Sequence, residues 1–211
     1  EVVLEGNVGG RTGKTYSEYP IHAAALQFIR DNKERPFLCY MPITPPHGMY
    51  DIPADDPAWE LYKNEAWMRD PTISQDTKNY AAMVSMVDRE VGNVLDLLRE
   101  LGLEENTIVF FTSDNGPHRE GGNNSDFNDS NGPLKGVKRD LTDGGIRVPL
   151  IVRWPGRVEA GSSSDFVGAF WDVMPTLAEF TGTKAVKDTD GLSIVPELIG
   201  AKAAGRQQAQ H

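Results

Sequence analysis

Between Gln75 and Gly102 the chain carries Tyr80, Met83, Val84, Val87, Val91, Val94, Leu95, Leu98 and Leu101 at spacings of three and four. That is one apolar stripe on a long amphipathic helix, and Gly102 stands where a left-handed C-terminal cap belongs. Two short, continuous apolar runs flank it, residues 37–41 and 107–112. Runs without alternation suit strands buried on both faces. Strand, long helix and strand form a βαβ unit with a right-handed crossover, so the two strands are expected to be parallel. A third run, residues 147–153, is closed by Trp154-Pro155-Gly156. The expected class is α/β, a largely parallel sheet flanked by helices.

The remaining elements are less regular. Thr15 or Ser17 can cap a helix with apolar positions at Ile21, Ala24, Ala25, Phe28 and Ile29, with Pro20 confined to its first turn. His22 reads as a surface residue of that helix. Asn32 to Pro36 stops it. Asp172 is expected to cap a helix from Val173 to Phe180. Residues 42–71 are proline-rich without a clean period, and residues 114–146 are rich in Gly, Asn and Asp. Both read as long ordered loops, of the kind that carry function. Residues 1–14 read as loop. The tail after about residue 183 is weakly patterned, and His211 stands at its end.

Charge narrows the partners. Lys and Arg total 21 against 31 Asp and Glu, a net charge of −10, which argues against a nucleic-acid footprint. No apolar run approaches the ~20 residues that span a bilayer. The single cysteine, Cys39, excludes an internal disulfide and reads as a small buried hydrophobe. The chain opens at Glu1 without Met or a leader, and is expected to be a piece of a longer protein.

In an open parallel sheet, ligands bind beyond the carboxyl ends of the strands. Thr44-Pro45-Pro46-His47 follows the first strand and Ser113-Asp114-Asn115-Gly116 the second. Asp114 and Asn115 offer adjacent hard oxygen donors, suited to Ca²⁺ or Mg²⁺. They can equally form a strand-end turn bonded to its own backbone. His47 is either placed for chemistry by its two prolines or bonded to a backbone carbonyl. Lys138, in Leu134-Lys135-Gly136-Val137-Lys138, is either a ligand for an anion or part of a solvated basic patch. His118 faces the same cleft or solvent.

Taken together, the pieces resemble the sulfatase family, formylglycine-dependent enzymes of the alkaline-phosphatase-like superfamily. The resemblance rests on Pro36 to Tyr40 leading to Pro45-Pro46-His47; Tyr80 to Gly92; Thr112 to Gly116; Leu134 to Lys138; Gly144-Gly145-Ile146-Arg147-Val148-Pro149; and Asp172 to Leu177. Pro117 to Gly122 and Asp129 to Pro133 look like bacterial members acting on sulfated sugars. The resemblance implies that Asp114 and Asn115 are the two later ligands of one divalent cation, usually Ca²⁺ with Mg²⁺ as the alternative. It implies that Lys138 binds the sulfate group and that His47 contacts the sulfate or assists the leaving group, with His118 among the substrate-binding residues. It implies hydrolysis of a sulfate monoester, on a sulfated saccharide or a small sulfate ester, in the periplasm or outside the cell. Superfamily relatives with two zinc ions tend to carry His where Asn115 stands.

The departures are equally specific. The family's C/S-x-P-x-R signature, source of the formylglycine nucleophile, is missing, as is the early Asp-Asp metal pair. Cys39 has the wrong context, and Asp55-Asp56 falls after His47, out of order. The expectation is a partial sulfatase catalytic domain over 1–211, its N-terminal part missing, inactive alone. Two other readings stay open: a phosphomonoester or phosphonate hydrolase of the same superfamily, and a non-catalytic saccharide-binding fragment.

Overall fold

The computed structural model describes residues 13–184 and 187–200. Most of the loop expected over residues 1–14, residues 185–186 of the tail, and residues 201–211 with His211, lie outside the described residues. The chain divides into two compact units, residues 1–103 with 112–149, and residues 104–111 with 150–211.

The first unit is organised by helix α2, Gln75–Glu100. Ser74 caps it, its Oγ accepting from the Thr77 N–H at 3.1 Å. At the far end Gly102 turns left-handed, with φ of 68°. The Gly102 and Leu103 N–H groups donate to Arg99 and Leu98 carbonyls at 3.1 and 2.8 Å. This paired closure satisfies two carbonyls that the helix end leaves open. The buried face is rotated from the counted stripe. Met83, Val87 and Leu98 are buried, but Val84 is exposed and Ala82, Met86, Lys78 and Glu90 are inside.

The N-terminal half of α2 packs on the proline-rich segment 42–71. Tyr50, Ile52, Ala58, Ala82, Met83 and Met86 form the core there, with Tyr16, Trp59 and Tyr80 against it. The segment contains only the 3-10 turns Pro57–Leu61 and Ala66–Arg69. Side chains of α2 fix its backbone: Asn79 donates to the Tyr50 carbonyl at 2.8 Å, and Lys78 to Met68 and Asp70 carbonyls at 3.0 Å.

Helix α1, Glu18–Asn32, carries Pro20 in its first turn as expected. Ser17 precedes it without a side-chain cap bond, and its inner face is polar. Glu18, His22, Ile29 and Asn32 are buried while Ile21 and Phe28 are exposed. His22 is therefore not the surface residue expected; its Nε2 lies 3.3 Å from Asn93 Nδ2 on α2, and burial lowers its pKa. Facing it, Asp56 is held by Arg89 at 2.7 and 2.8 Å, Tyr19 at 2.6 Å and the Ala58 N–H at 2.7 Å. Burial alone would raise the Asp56 pKa; Arg89 and the other donors hold it below the usual range. Asp56 is thus a structural anchor, in line with its position out of the family's metal-ligand order.

A second acidic pair is handled differently. Glu18 is 2% exposed and Glu90 4%, and their carboxyls are close enough to interact, with Glu18 Oε1 and Glu90 Oε2 buried and otherwise unpaired among the described residues. Burial, and then the neighbouring Glu18 charge, push Glu90 up to about 8; burial raises Glu18 as well. The shared contact is satisfied when one carboxyl keeps its proton. Glu18 also accepts from the Thr44 N–H, three residues before His47.

The run 37–41 forms no strand among the described residues. Leu38 is 69% exposed and Tyr40 82%, while Phe37 and Cys39 are half-buried. The segment is extended with one covered face, rather than buried on both. The physical reason is pairing: the sheet among the described residues has two strands, neither of them this segment, so its backbone joins no ladder. Burial raises the Cys39 thiol pKa, away from reactivity.

In the second unit, β1 (Val109–Thr112) and β2 (Leu150–Arg153) pair as a two-stranded sheet, of which only Thr112 falls in the first unit. Both are shorter than the runs that foretold them. The short helix α3, Asp143–Ile146, and Pro149 delay β2. Helix α4, Val173–Thr181, ends at Gly182 with φ of 66°, and a short α5, Val195–Leu198, follows. Asp172 does not cap α4. Its carboxylate instead accepts from Ala169 and Leu192 N–H groups, both at 2.8 Å, so it joins two loops. Among the described residues no helix is long and apolar enough to cross a membrane.

A pH prediction follows from the Glu18–Glu90 pair. A carboxyl with a raised folded pKa binds its proton more tightly in the fold than in the unfolded chain. Stability is then greatest below the unfolded pKa and declines as pH rises toward the folded value of about 8. Glu90→Gln should match the parent near pH 5 and exceed it by several degrees in Tm near pH 9, by roughly the scaling of ~1 kcal/mol per 2–4 °C. Thermal melts at both pH values check this.

Candidate active site

The candidate residues all belong to the first unit. Asp114 and Asn115 leave the carboxyl end of β1, with Asp114 exposed and Asn115 half-buried. Among the described residues neither side chain has a hydrogen-bond partner. The turn is closed by Ser113 instead, whose Oγ donates to the Asn115 carbonyl at 3.2 Å. The self-bonded turn is therefore not formed by these two side chains.

Loop 114–146 folds back on itself. Gly116 N–H donates to the Gly145 carbonyl at 2.9 Å, Lys138 N–H to Pro117 at 2.8 Å and Gly144 N–H to Lys135 at 2.7 Å. These bonds bring the Lys138 backbone within three residues of Asp114, although 24 positions separate the two in sequence. The return is close enough to require glycine. A Cβ on Gly116 would stand 1.9 Å from the Gly144 carbonyl oxygen, and one on Gly144 2.1 Å from the Gly136 oxygen. Lys138 is half-buried, and its ammonium has no anionic partner among the described residues. Its neighbour Arg139 pairs with Glu120 at 2.5 Å instead.

His47 follows a cis Pro45–Pro46 bond, and its N–H donates to the Thr44 carbonyl at 3.0 Å. Nδ1 lies 3.2 Å from the Gly48 carbonyl, and Nε2 has no partner among the described residues. His47 thus bonds a backbone carbonyl and still presents a nitrogen. Its ring stacks on His118, centroids 5.5 Å apart and planes 22° apart. Gly48 makes room, since a Cβ there would lie 3.0 Å from His118 Cε1. Tyr50 Oη sits 2.7 Å from His118 Nδ1, and burial, then Tyr80, Asp76 and Glu120, push that phenol up to about 12.

Two of the four described non-glycine residues with positive φ stand near these side chains, the others being Asp129 and Asp188. Met49 and Arg139, beside His47 and Lys138, adopt φ of 69° and 81° without being glycine. Such residues cost roughly 1–3 kcal/mol each and concentrate at functional sites. Sequence reasoning passed over Tyr50, Glu120 and Arg139. Glu120 stood within the Pro117–Gly122 stretch, where an acid two residues from His118 was the available signal.

The metal fit is partial. The paired oxygens of Asp114 and Asn115 suit a hard cation and are not spent on protein hydrogen bonds. Ca²⁺ takes about 6–8 oxygens, and no group of three or more His, Cys, Asp or Glu able to hold a metal occurs among the described residues.

These features sit in a chain whose residues 5–183 match the sulfatase family model. The chain belongs to the sulfatase family, which is in general dependent on a divalent metal and formylglycine. It is 31% identical to N-acetylgalactosamine-6-sulfatase of Canis lupus familiaris, over 92% of this chain and 37% of that protein. It is 34% identical to steryl-sulfatase of Rattus norvegicus, over 83% of this chain and 29% of the relative. Among solved structures, Ps i-CgsB in complex with k-i-k-neocarrahexaose matches at a TM-score of 0.74 and 30% identity, over 91% of this chain and 41% of that one. The chain spans between 29% and 41% of the length of these relatives. The α/β, alkaline-phosphatase-like class expected from the sequence is the one these relatives carry.

Two measurements probe the site. Gly116→Ala should destabilise the unit by about 1–3 kcal/mol, because the clash is with backbone that cannot rotate away; urea unfolding midpoints read it. With two ligands supplied, this chain should bind Ca²⁺ weakly or not at all. Calorimetry showing tight, one-to-one binding that survives Asp114→Ala contradicts the assignment.

Proposed function

We propose that this chain is the later part of a catalytic domain that hydrolyses a sulfate monoester on a sulfated carbohydrate. The observation that carries the reading is the return of loop 114–146. It ties the Lys138 turn to the segment that presents Asp114 and Asn115, in a chain of the sulfatase family.

In this reading Asp114 and Asn115 are two ligands of one cation, Ca²⁺ or Mg²⁺. A cation held there supplies Lewis-acid stabilisation of a sulfate oxygen. Lys138, half-buried and without a counter-ion among the described residues, offers its ammonium to the remaining charge on the transferring group. His47 uses Nδ1 on the Gly48 carbonyl and turns Nε2 toward the sulfate or the leaving oxygen. The chain has no C/S-x-P-x-R signature, so the formylglycine nucleophile is not among its residues. The carbohydrate preference is supported by the named substrates of N-acetylgalactosamine-6-sulfatase and by the saccharide bound to Ps i-CgsB. A periplasmic or extracellular setting accompanies that substrate class. A phosphate or phosphonate ester is the competing substrate; Asn115, an oxygen donor where two-zinc relatives tend to carry His, favours the sulfate.

The test is a panel of matched aryl sulfate, aryl phosphate and sulfated saccharide esters on the protein at the length its gene encodes, with Ca²⁺. Sulfate release should dominate and fall at least about a hundredfold in Lys138→Ala, the scale of losing one charge-stabilising donor. The 211-residue chain alone should release none, for want of a nucleophile. Preference for the phosphate ester overturns the reading.

A further inference from the structure

Both ring nitrogens of His118 are engaged inside the protein. Nε2 is 3.2 Å from the Glu120 carboxylate, and a carboxylate only accepts, so this contact is favourable when Nε2 carries the proton. Nδ1 faces Tyr50 Oη at 2.7 Å. When Nε2 carries the ring proton, Nδ1 is the acceptor and the Tyr50 phenol donates to it. The two contacts fit the Nε2–H tautomer, in a side chain 14% exposed. In this arrangement both ring nitrogens face protein groups. What it offers is a ring face, and His47 lies on that face.

Glu120 continues the line. Its second oxygen takes Arg139 at 2.5 Å, and Arg139 follows Lys138 in the turn pinned to Pro117. One chain of contacts therefore runs from the Lys138 turn through Arg139, Glu120 and His118 to His47. The Glu120 and Arg139 side chains are half or more exposed, so their ion pair adds at most about 1 kcal/mol to stability. Stability is a weak reason for this arrangement, whereas geometry is a strong one.

We propose that Glu120 is a positioning residue: it locks the tautomer and orientation of His118, which fixes the His47 ring, and through Arg139 it sets the spacing between His47 and Lys138. The proposal rests on the reading in which His47 and Lys138 act on one sulfate ester. It adds a residue outside the set that touches substrate.

The experiment has a part that needs no substrate. Histidine-selective ¹⁵N labelling of the protein at its encoded length reads the tautomer of each ring by long-range imidazole spectra. His118 should appear as the Nε2–H form. Glu120→Ala should lose that form and shift the His47 ring signals, while Tm falls by no more than about 2–4 °C. Glu120→Gln, which keeps an acceptor for Nε2–H, should restore the tautomer. In turnover, Glu120→Ala should lower kcat about tenfold or more with KM little changed, and Glu120→Gln should recover part of it. An Nδ1–H tautomer, or His47 signals unmoved in Glu120→Ala, overturns the proposal. The expected spectra in a protein that cleaves no sulfate ester would instead overturn the functional reading and leave the positioning of His47 standing.

Discussion

Tyr50 joins the part of this chain that is held by apolar packing to the part that holds chemistry. Its ring is buried among Ala82, Met83 and Met86 and meets Tyr80 edge-on at 5.8 Å. Its carbonyl accepts from Asn79, and its hydroxyl meets His118. A tyrosine can serve both ends because its body is apolar and its tip polar. The long helix thereby fixes the position of an imidazole with which it makes no direct hydrogen bond. Ser74 and Thr77 at the start of the same helix hold Gly122 and Asn124 beside it, at 2.9 and 3.1 Å.

The contact between α1 and α2 follows a different logic. Where most helix pairs bury a stripe of hydrocarbon, this one buries carboxyls, an imidazole and an amide. Asp56 is kept ionised by Arg89, while Glu90 is pushed toward its neutral form by burial and by Glu18. The two solutions sit on adjacent residues of one helix. Buried groups of this kind add little net stability over apolar packing, and removing one partner costs several kcal/mol. They do dictate how the helices register, because a slip of one turn would strand each charge without its partner.

The long helix, its Gly102 cap and the site motifs were legible in the sequence because each is a local pattern. Periodicity states itself within 26 residues, and Asp114-Asn115 or Pro45-Pro46-His47 needs no distant partner to be seen. The face that α2 buries was not legible. Over so long a helix several stripes are available, and the choice was made by Tyr50 and Ile52 arriving from a segment without periodicity. His22 was misread for the same reason: its partner Asn93 lies on another helix. Asp172 carried a capping signal that its carboxylate does not fulfil, because the Ala169 and Leu192 N–H groups, the latter 20 positions away, claim its two oxygens. The apolar run 37–41 met the strand criteria and lacks the neighbour that makes an extended segment a strand. For the site, the residue types were readable, whereas the bonds from Lys138 to Pro117 and from His118 to Glu120 exist only once the loop has closed.

That unpaired segment bears on how accurately His47 is held. Residues 37–40 have no backbone hydrogen bond among the described residues, and they lead directly into the turn that ends at His47. Downstream the imidazole is braced by Gly48, His118 and Tyr50. Upstream the described holds are the edge-on packing of Phe37 on Phe28 at 6.1 Å and the Thr44 N–H at the Glu18 carboxyl. His47 is thus tied firmly on one side and tethered on the other. A strand laid along the free edge from Phe37 to Tyr40 would restrict that tether by main-chain pairing alone, coupling the precision with which His47 is held to the backbone of a neighbouring segment.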